Sequence, residues 1–229
     1  MTACSTAKDC TRQTVAVNEI AAIALGGVAI LAPLNWWSRW ADSRRVQLWT
    51  KPLVTILIIA AAITLDGDQL AVRLLVIAGL TFSLVGDVAL MLPTDQFIIG
   101  LAAFFVAHLL YIAATLASPD LKVAGIFVAV AACSVVLWAV GRRILQAVTA
   151  EPVALQRAVG AYIVVITTML AVTIIAGPFW MAVGAAVFVA SDAMLGWNRF
   201  VQPARILAPL VMATYHIGQA LITWSLITQ

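Results

Sequence analysis

Charge is scarce in this chain: only 10% of its 229 residues are Asp, Glu, Lys or Arg. That excludes an ordinary soluble domain, about a quarter of which is charged. It also excludes a nucleic-acid binder, which needs a dense basic face. Cysteine is scarce too. Cys4, Cys10 and Cys133 are the only three, at no metal-ligand spacing, so neither a disulfide scaffold nor a zinc ribbon is encoded. Cys133 lies within an apolar run and counts as a small hydrophobe. Histidine occurs twice, at 108 and 216. What is abundant is apolar surface, 64% of the residues, which rules out a disordered chain. Residues 1–16 are polar and lack the charged, apolar, small-residue order of a cleaved signal, so they are expected to form a short exposed tail.

A helical span needs about 20 apolar residues at about 1.5 Å each. Eight runs fit that pattern, at 17–37, 52–65, 70–92, 97–117, 121–140, 158–177, 179–197 and 206–227. The expected fold class is therefore all-α, a polytopic transmembrane helical bundle of about eight spans forming one domain over 17–229. The runs are too long and too uniformly apolar for the strands of an outer-membrane barrel. The second run covers only 14 residues, short enough to be re-entrant, with Lys51 snorkelling to the headgroups. All eight tryptophans fall near expected span ends, where an indole prefers to sit. Nine cations, Arg39, Arg44, Arg45, Lys51, Arg142, Arg143, Arg157, Arg199 and Arg205, fall on one side. Four, Lys8, Arg12, Arg73 and Lys122, fall on the other. The positive-inside bias puts the first set in the cytoplasm and both termini outside.

Two acidic residues lie where none is expected. Asp87 and Asp192 each sit inside the C-terminal part of an apolar run, where a carboxylate costs on the order of 2.5 to 3.5 kcal/mol. The partially negative end of the helix dipole gives them no help, so neighbouring helices must compensate them. His108 and His216 also fall in the middle of apolar runs. His108 shares a helix face with Phe104 and Tyr111, and Tyr215 shares one with Gln219. Polar groups in such surroundings turn toward one another inside a bundle. A weak echo links the halves: Gly86 and Asp87, then His108, in runs three and four, against Ser191 and Asp192, then Tyr215 and His216, in runs seven and eight. That spacing predicts a parallel 4+4 pseudo-repeat. The structural alternative leaves the aspartates hydrogen-bonded between helices, the histidines as interhelical glue, and Phe97, Phe104, Phe105, Phe188 and Phe200 as packing or a lipid-pocket wall.

These residues, in this order, resemble the YhhN-like membrane proteins, a family that includes bacterial and animal lysoplasmalogenases. The likeness rests on Lys51, Pro52 and Leu53; on Gly86, Asp87 and Leu90; on Phe97, Gly100, Phe104, His108 and Tyr111 in one register; and on Tyr162. It continues through Ser191, Asp192 and Leu195, Phe200, and Tyr215 with Gln219. His216 departs from the pattern. The resemblance implies an eight-span hydrolase that cleaves the vinyl ether of lysoplasmalogen to a fatty aldehyde and a glycerophospho-base, with Asp87 and Asp192 as the catalytic pair. It further implies a lysophospholipid substrate, a multi-pass protein of the bacterial inner (plasma) membrane, and no cofactor or metal. Lys51, His108, Tyr111, Ser191, Tyr215 and Gln219 would bind substrate or orient the carboxyls, and Lys51 or a loop arginine would meet the headgroup phosphate. The chemistry needs only two carboxyl groups, one to protonate the vinyl β carbon and one to steady the oxocarbenium ion and steer water, as in glycosidases. Two other readings use the same side chains. In a proton-coupled transporter or lipid-translocating protein they would form a relay. In a zinc-dependent intramembrane lipid hydrolase the two aspartates and two histidines would hold the metal, although no HxxxH or HxxE pair lies on one helix.

Overall fold

A computed structural model describes residues 7–65, 69–94 and 96–227, with 7–18 described by backbone alone. Its helices are α1 (Ala7–Trp40), α2 (Arg44–Thr64), α3 (Leu70–Met91), α4 (Phe97–Ala117), α5 (Val123–Val136), α6 (Arg142–Ala147), α7 (Val153–Ala176), α8 (Phe179–Gly196) and α9 (Leu207–Trp224). A π-helical turn at Leu137–Gly141 fuses α5 to α6, and a second, Trp197–Val201, extends α8. With α5 and α6 counted as one, eight helices are long and apolar enough to cross a membrane. Among the described residues there is no strand.

The bundle is apolar outside and polar within. Large side chains such as Ile63, Phe127 and Val164 are exposed on its flanks, whereas Thr55, Ser83, Asp87, His108 and Gln219 are wholly buried. Such an inversion suits a chain solvated by lipid, because intramembrane polar groups face the bundle interior.

Three expectations are corrected. The second span is not a short or re-entrant segment: α2 begins at Arg44 and runs for 21 residues, about 30 Å, with Pro52 inside it. Lys51 therefore does not snorkel to the surface; it is 7% exposed, in the interior. The fifth span does not stop at residue 140. It continues because Ile144 and Val148 give α6 and the turn after it an apolar buried face, while Arg142 and Arg143 stay exposed on the helix rather than in a loop. Trp138 accordingly lies within a long helix, and its indole carries the Arg142 guanidinium 4.6 Å above the ring. Residues 1–6 of the expected tail lie outside the described residues, and α1 already begins at Ala7.

Two close helix hairpins position the polar interior. In α3, Gly79 and Gly86 stand one heptad apart and receive the rings of Tyr111 and Phe104, themselves one heptad apart on α4. A Cβ at either glycine would lie within 2.6 Å of the facing ring. In the second hairpin Gly184 of α8 abuts Gly218 of α9, where an added Cβ would meet the Gly218 carbonyl oxygen at 2.9 Å. Small residues of this kind let membrane helices approach backbone to backbone. At the other end of the chain, Trp36 Nε1 of α1 donates to His216 Nδ1 of α9 at 3.1 Å, so the first span closes on the last.

The Gly184–Gly218 contact is testable. Gly184→Val is expected to destabilise the detergent-solubilised protein by about 1 to 3 kcal/mol through overpacking, read as a lower thermal unfolding midpoint. Gly26→Ala, which would meet no atom within 4 Å, is expected not to lower it.

Candidate active site

Asp87, on the inner face of α3, is 0% exposed and ringed by donors from two other helices. From α2, Lys51 Nζ lies 3.0 Å from Oδ1, and Thr55 Oγ1, one helical turn further on, donates to Oδ2 at 2.9 Å. From α9, the Tyr215 hydroxyl donates to Oδ2 at 2.8 Å and itself accepts from Gln219 Nε2 at 2.8 Å. Each carboxylate oxygen thus faces a donor, and one of these carries a full positive charge. That arrangement suits an ionised carboxylate inside a bundle, since breaking such a pair strands a buried charge.

Asp192, on α8, is held more loosely. The Tyr162 hydroxyl of α7 donates a short hydrogen bond to its Oδ2, and 12% of its side chain remains exposed. His108 Nε2 of α4 stands 3.7 Å from the same oxygen, beyond hydrogen-bond range. His108 Nδ1 lies against the Phe104 carbonyl, which can only accept, so Nδ1 carries the proton. In the neutral ring Nε2 is then a lone pair facing a carboxyl oxygen, and one proton, on the carboxyl or on Nε2, or a bridging water reconciles the two groups. Phe188, with its ring centroid 5.0 Å from that of His108, packs the imidazole in place.

Both aspartates line one cavity of about 590 Å³ that opens at the end of the bundle carrying Arg39, Arg44 and Arg199. Lys51, Phe104, Ser191 and Tyr215 also border it. Arg39 is bonded to Gln47 Oε1 at 2.8 Å, and Arg199 lies 4.0 Å over the Phe97 ring. With three arginines against Asp42 the mouth carries a net positive charge, its floor holds two carboxyl groups, and an apolar wall of Leu90, Phe97 and Leu195 continues beyond Asp192.

The YhhN family profile matches residues 46–226, which include Asp87, Asp192 and every side chain bonded to them but not Arg39 or Arg44 at the mouth. This chain belongs to the YhhN family. It is 33% identical over 179 residues to the lysoplasmalogenase TMEM86B of Sus scrofa, covering 76% of this chain and 71% of that protein. It is 32% identical over 185 residues to the lysoplasmalogenase of Mycobacterium bovis, covering 76% and 67%. The rat lysoplasmalogenase TMEM86B is 34% identical over 148 residues, covering 64% and 58%. No solved structure matches the chain. With eight apolar spans and this membership, it is a multi-pass membrane protein.

In this YhhN chain the structure brings Asp87, Lys51, Tyr215 and Gln219 together as one cluster, and Asp192 with His108 as another. Ser191 borders the cavity, but its hydroxyl is taken by the Val211 carbonyl of α9 at 3.0 Å, so it fastens α8 to α9. Tyr111 lies deeper, 3.4 Å from Ser83 and beneath Gly79, and is not among the cavity's lining. Lys51, expected as an anchor or a phosphate ligand, is committed to Asp87. Sequence reasoning gave no role to Thr55 or to the Tyr162 hydroxyl. Thr55 was findable, standing four residues after Lys51 on the same face of α2. His216 is tied to Trp36, away from Asp192. Among the described residues no group of three or more His, Cys, Asp or Glu is gathered to hold a metal, so the four-ligand zinc arrangement does not form there.

The Lys51–Asp87 pair yields a direct test. Lys51→Met is expected to cost about 3 to 5 kcal/mol, the penalty for leaving a buried charge alone. The double variant with Asp87→Asn is expected to recover most of that loss. Equilibrium unfolding of the four proteins of this cycle measures it, and a fully stable Lys51→Met would show that the pair carries no such coupling.

Proposed function

We propose that this protein is a lysoplasmalogenase, a membrane hydrolase that cleaves the vinyl ether bond of a lysophospholipid and releases a fatty aldehyde and a glycerophospho-base. The observation that carries this reading is the pairing of two differently held carboxyl groups, Asp87 and Asp192, on one cavity with a cationic mouth and an apolar continuation. The relatives named lysoplasmalogenase support it.

The two environments suggest the division of labour. Asp192, with a single hydroxyl donor and a facing imidazole lone pair, is the proton carrier. It protonates the β carbon of the vinyl ether, and the electron pair of the double bond forms the new C–H bond. The positive charge is then shared between the α carbon and the ether oxygen. Asp87, held by Lys51, Thr55 and Tyr215, remains a carboxylate that steadies this oxocarbenium ion and directs a water to the α carbon. The water gives its proton to the Asp192 carboxylate; the hemiacetal then collapses as its C–O bond to glycerol breaks, the departing oxygen taking a proton from Asp192 and the hemiacetal hydroxyl returning one to it, so that aldehyde, alcohol and a protonated Asp192 remain. Tyr162 and His108 orient Asp192, Gln219 orients Tyr215, and the arginines at the mouth receive the phosphate. The cation bias supports a mouth on the cytoplasmic face, and the setting proposed is the plasma membrane of a bacterium.

The test is aldehyde release by purified protein from 1-alkenyl lysophosphatidylcholine or lysophosphatidylethanolamine, beside the saturated-ether analogue. Only the alkenyl lipid is expected to react. Asp192→Asn is expected to remain folded and to lose at least about a hundredfold in kcat, the lower range for acid-base groups; Asp87→Asn, which strands Lys51, is expected to lose stability as Lys51→Met does, so its loss of kcat is read in the Lys51→Met/Asp87→Asn double variant. Equal cleavage of the saturated ether, or undiminished turnover in both variants, overturns the reading.

A further inference from the structure

We infer that the single aliphatic chain of the substrate lies in an apolar groove between α5 and α8 that leads from the bilayer to Asp192. This inference rests on the hydrolase reading above and adds where the lipid tail goes.

The groove exists because α5 packs on α7 and leaves its other flank open toward α8. It is an open trough of about 1000 Å³, with Phe127, Val128 and Val135 on one bank, Ala186 and Ala190 on the other, and Leu170 in its floor. All its lining residues are apolar. What sets it apart from any other lipid-facing crevice is continuity with the carboxyl groups. Four of its residues, Val136, Val140, Val189 and Ala193, also border an inner void of about 50 Å³ whose remaining wall includes Gly141, Ile144, Tyr162 and Asp192. A second void of about 50 Å³ shares Ile144, Tyr162, Ile163 and Asp192 with the first, and shares Phe97, Phe104 and Leu195 with the polar cavity. Groove, voids and polar cavity thus adjoin one another through shared walls, with Asp192 bordering three of the four.

The dimensions select the occupant. From Phe127 to Val140 the groove follows about 20 Å of helix axis at 1.5 Å per residue. One leaflet of hydrocarbon is about 15 Å deep, half of a core of about 30 Å. A single lipid chain fits that length. The order along the path also matches the amphiphile: phosphate at the arginine mouth, vinyl ether beside Asp192, hydrocarbon beyond. Each void has room for little more than one water-sized group, so the path is narrowed at Ile144, Ile163 and Tyr162. Ile144 occupies the space left by Gly196, where a Cβ would come within 2.8 Å of its Cδ1. The wide π turn Leu137–Gly141 stands at the same junction and ends in a residue with no side chain.

Two measurements test this. Ala190→Phe and Ala186→Phe, which fill the groove from α8, are expected to lower the ratio of kcat/KM for a long-chain (C16) to a short-chain (C4) alkenyl lysolipid at least tenfold. Ile63→Phe, on a lipid-facing flank of α2, is expected to leave that ratio within twofold of native. The second measurement needs no turnover. A saturated-ether lysophosphatidylcholine with a diazirine near the end of its chain is photolysed on the native protein in nanodiscs, and the labelled peptides are mapped. Label concentrated on α5 and α8 and competed by long-chain lysolipid supports the proposal. An unchanged chain-length ratio, label spread over all lipid-facing helices, label displaced equally by diacyl phospholipid, or α5–α8 contacts between two copies of the chain overturns it. If the probe labels the groove while no aldehyde is released from any alkenyl lipid, the hydrolase reading fails and the chain-binding groove stands.

Discussion

The interior of this molecule depends on one ion pair, Lys51 with Asp87, formed between α2 and α3 on the buried floor of the polar cavity. Alone, either charge would cost several kcal/mol at that depth. Together, with Thr55 and Tyr215 filling the remaining acceptor positions, they let a polar cavity persist inside a bundle whose outer surface is hydrocarbon. Asp87 spends its hydrogen-bonding capacity on fixed partners, whereas Asp192 has one hydroxyl donor and borders the same cavity, the asymmetry on which the proposed division of labour rests.

The two hairpins serve each other. Tyr215, from the α8–α9 hairpin, completes the shell of Asp87 on α3, while His108, from the α3–α4 hairpin, faces Asp192 on α8. Neither hairpin contains a complete site. The glycine contacts that bring α3 against α4, and α8 against α9, fix the register of these exchanged side chains, because Phe104 seated on Gly86 sets the height of His108 one turn further along α4. Phe188 packs between His108 and Tyr215 and couples the two clusters mechanically.

The sequence made the eight spans legible because their hydrophobicity is a local property, summed along consecutive residues. The two aspartates stood out for the same reason: a charge within an apolar run is visible without knowing its partners. Lys51 was misread because its position depends on a partner in another helix. Hydropathy places a lysine at a boundary, and only Asp87, across the α2–α3 interface, makes the interior tolerable for it. The length of α2 was underestimated with it, since the cluster of Arg44, Arg45, Gln47 and Lys51 imitates a loop. Arg142 and Arg143 imitated one in the same way, while the buried Ile144 and Val148 carried the helix onward. Tyr162 lay in an unremarkable apolar stretch of α7, and nothing near it in sequence signals that its hydroxyl reaches α8. The cavity and its apolar continuation are properties of several helices at once and had no signature along the chain.

The hydrogen bond from Trp36 to His216 joins the first span to the last, and Tyr215 stands next to that histidine. A ribosome delivers α1, α2 and α3 long before α9. Throughout that interval Lys51 can find Asp87, but the hydroxyl that finishes its shell does not yet exist. The donor shell around Asp87 is therefore completed only once α9 has been inserted, so the polar interior settles late in the order of synthesis.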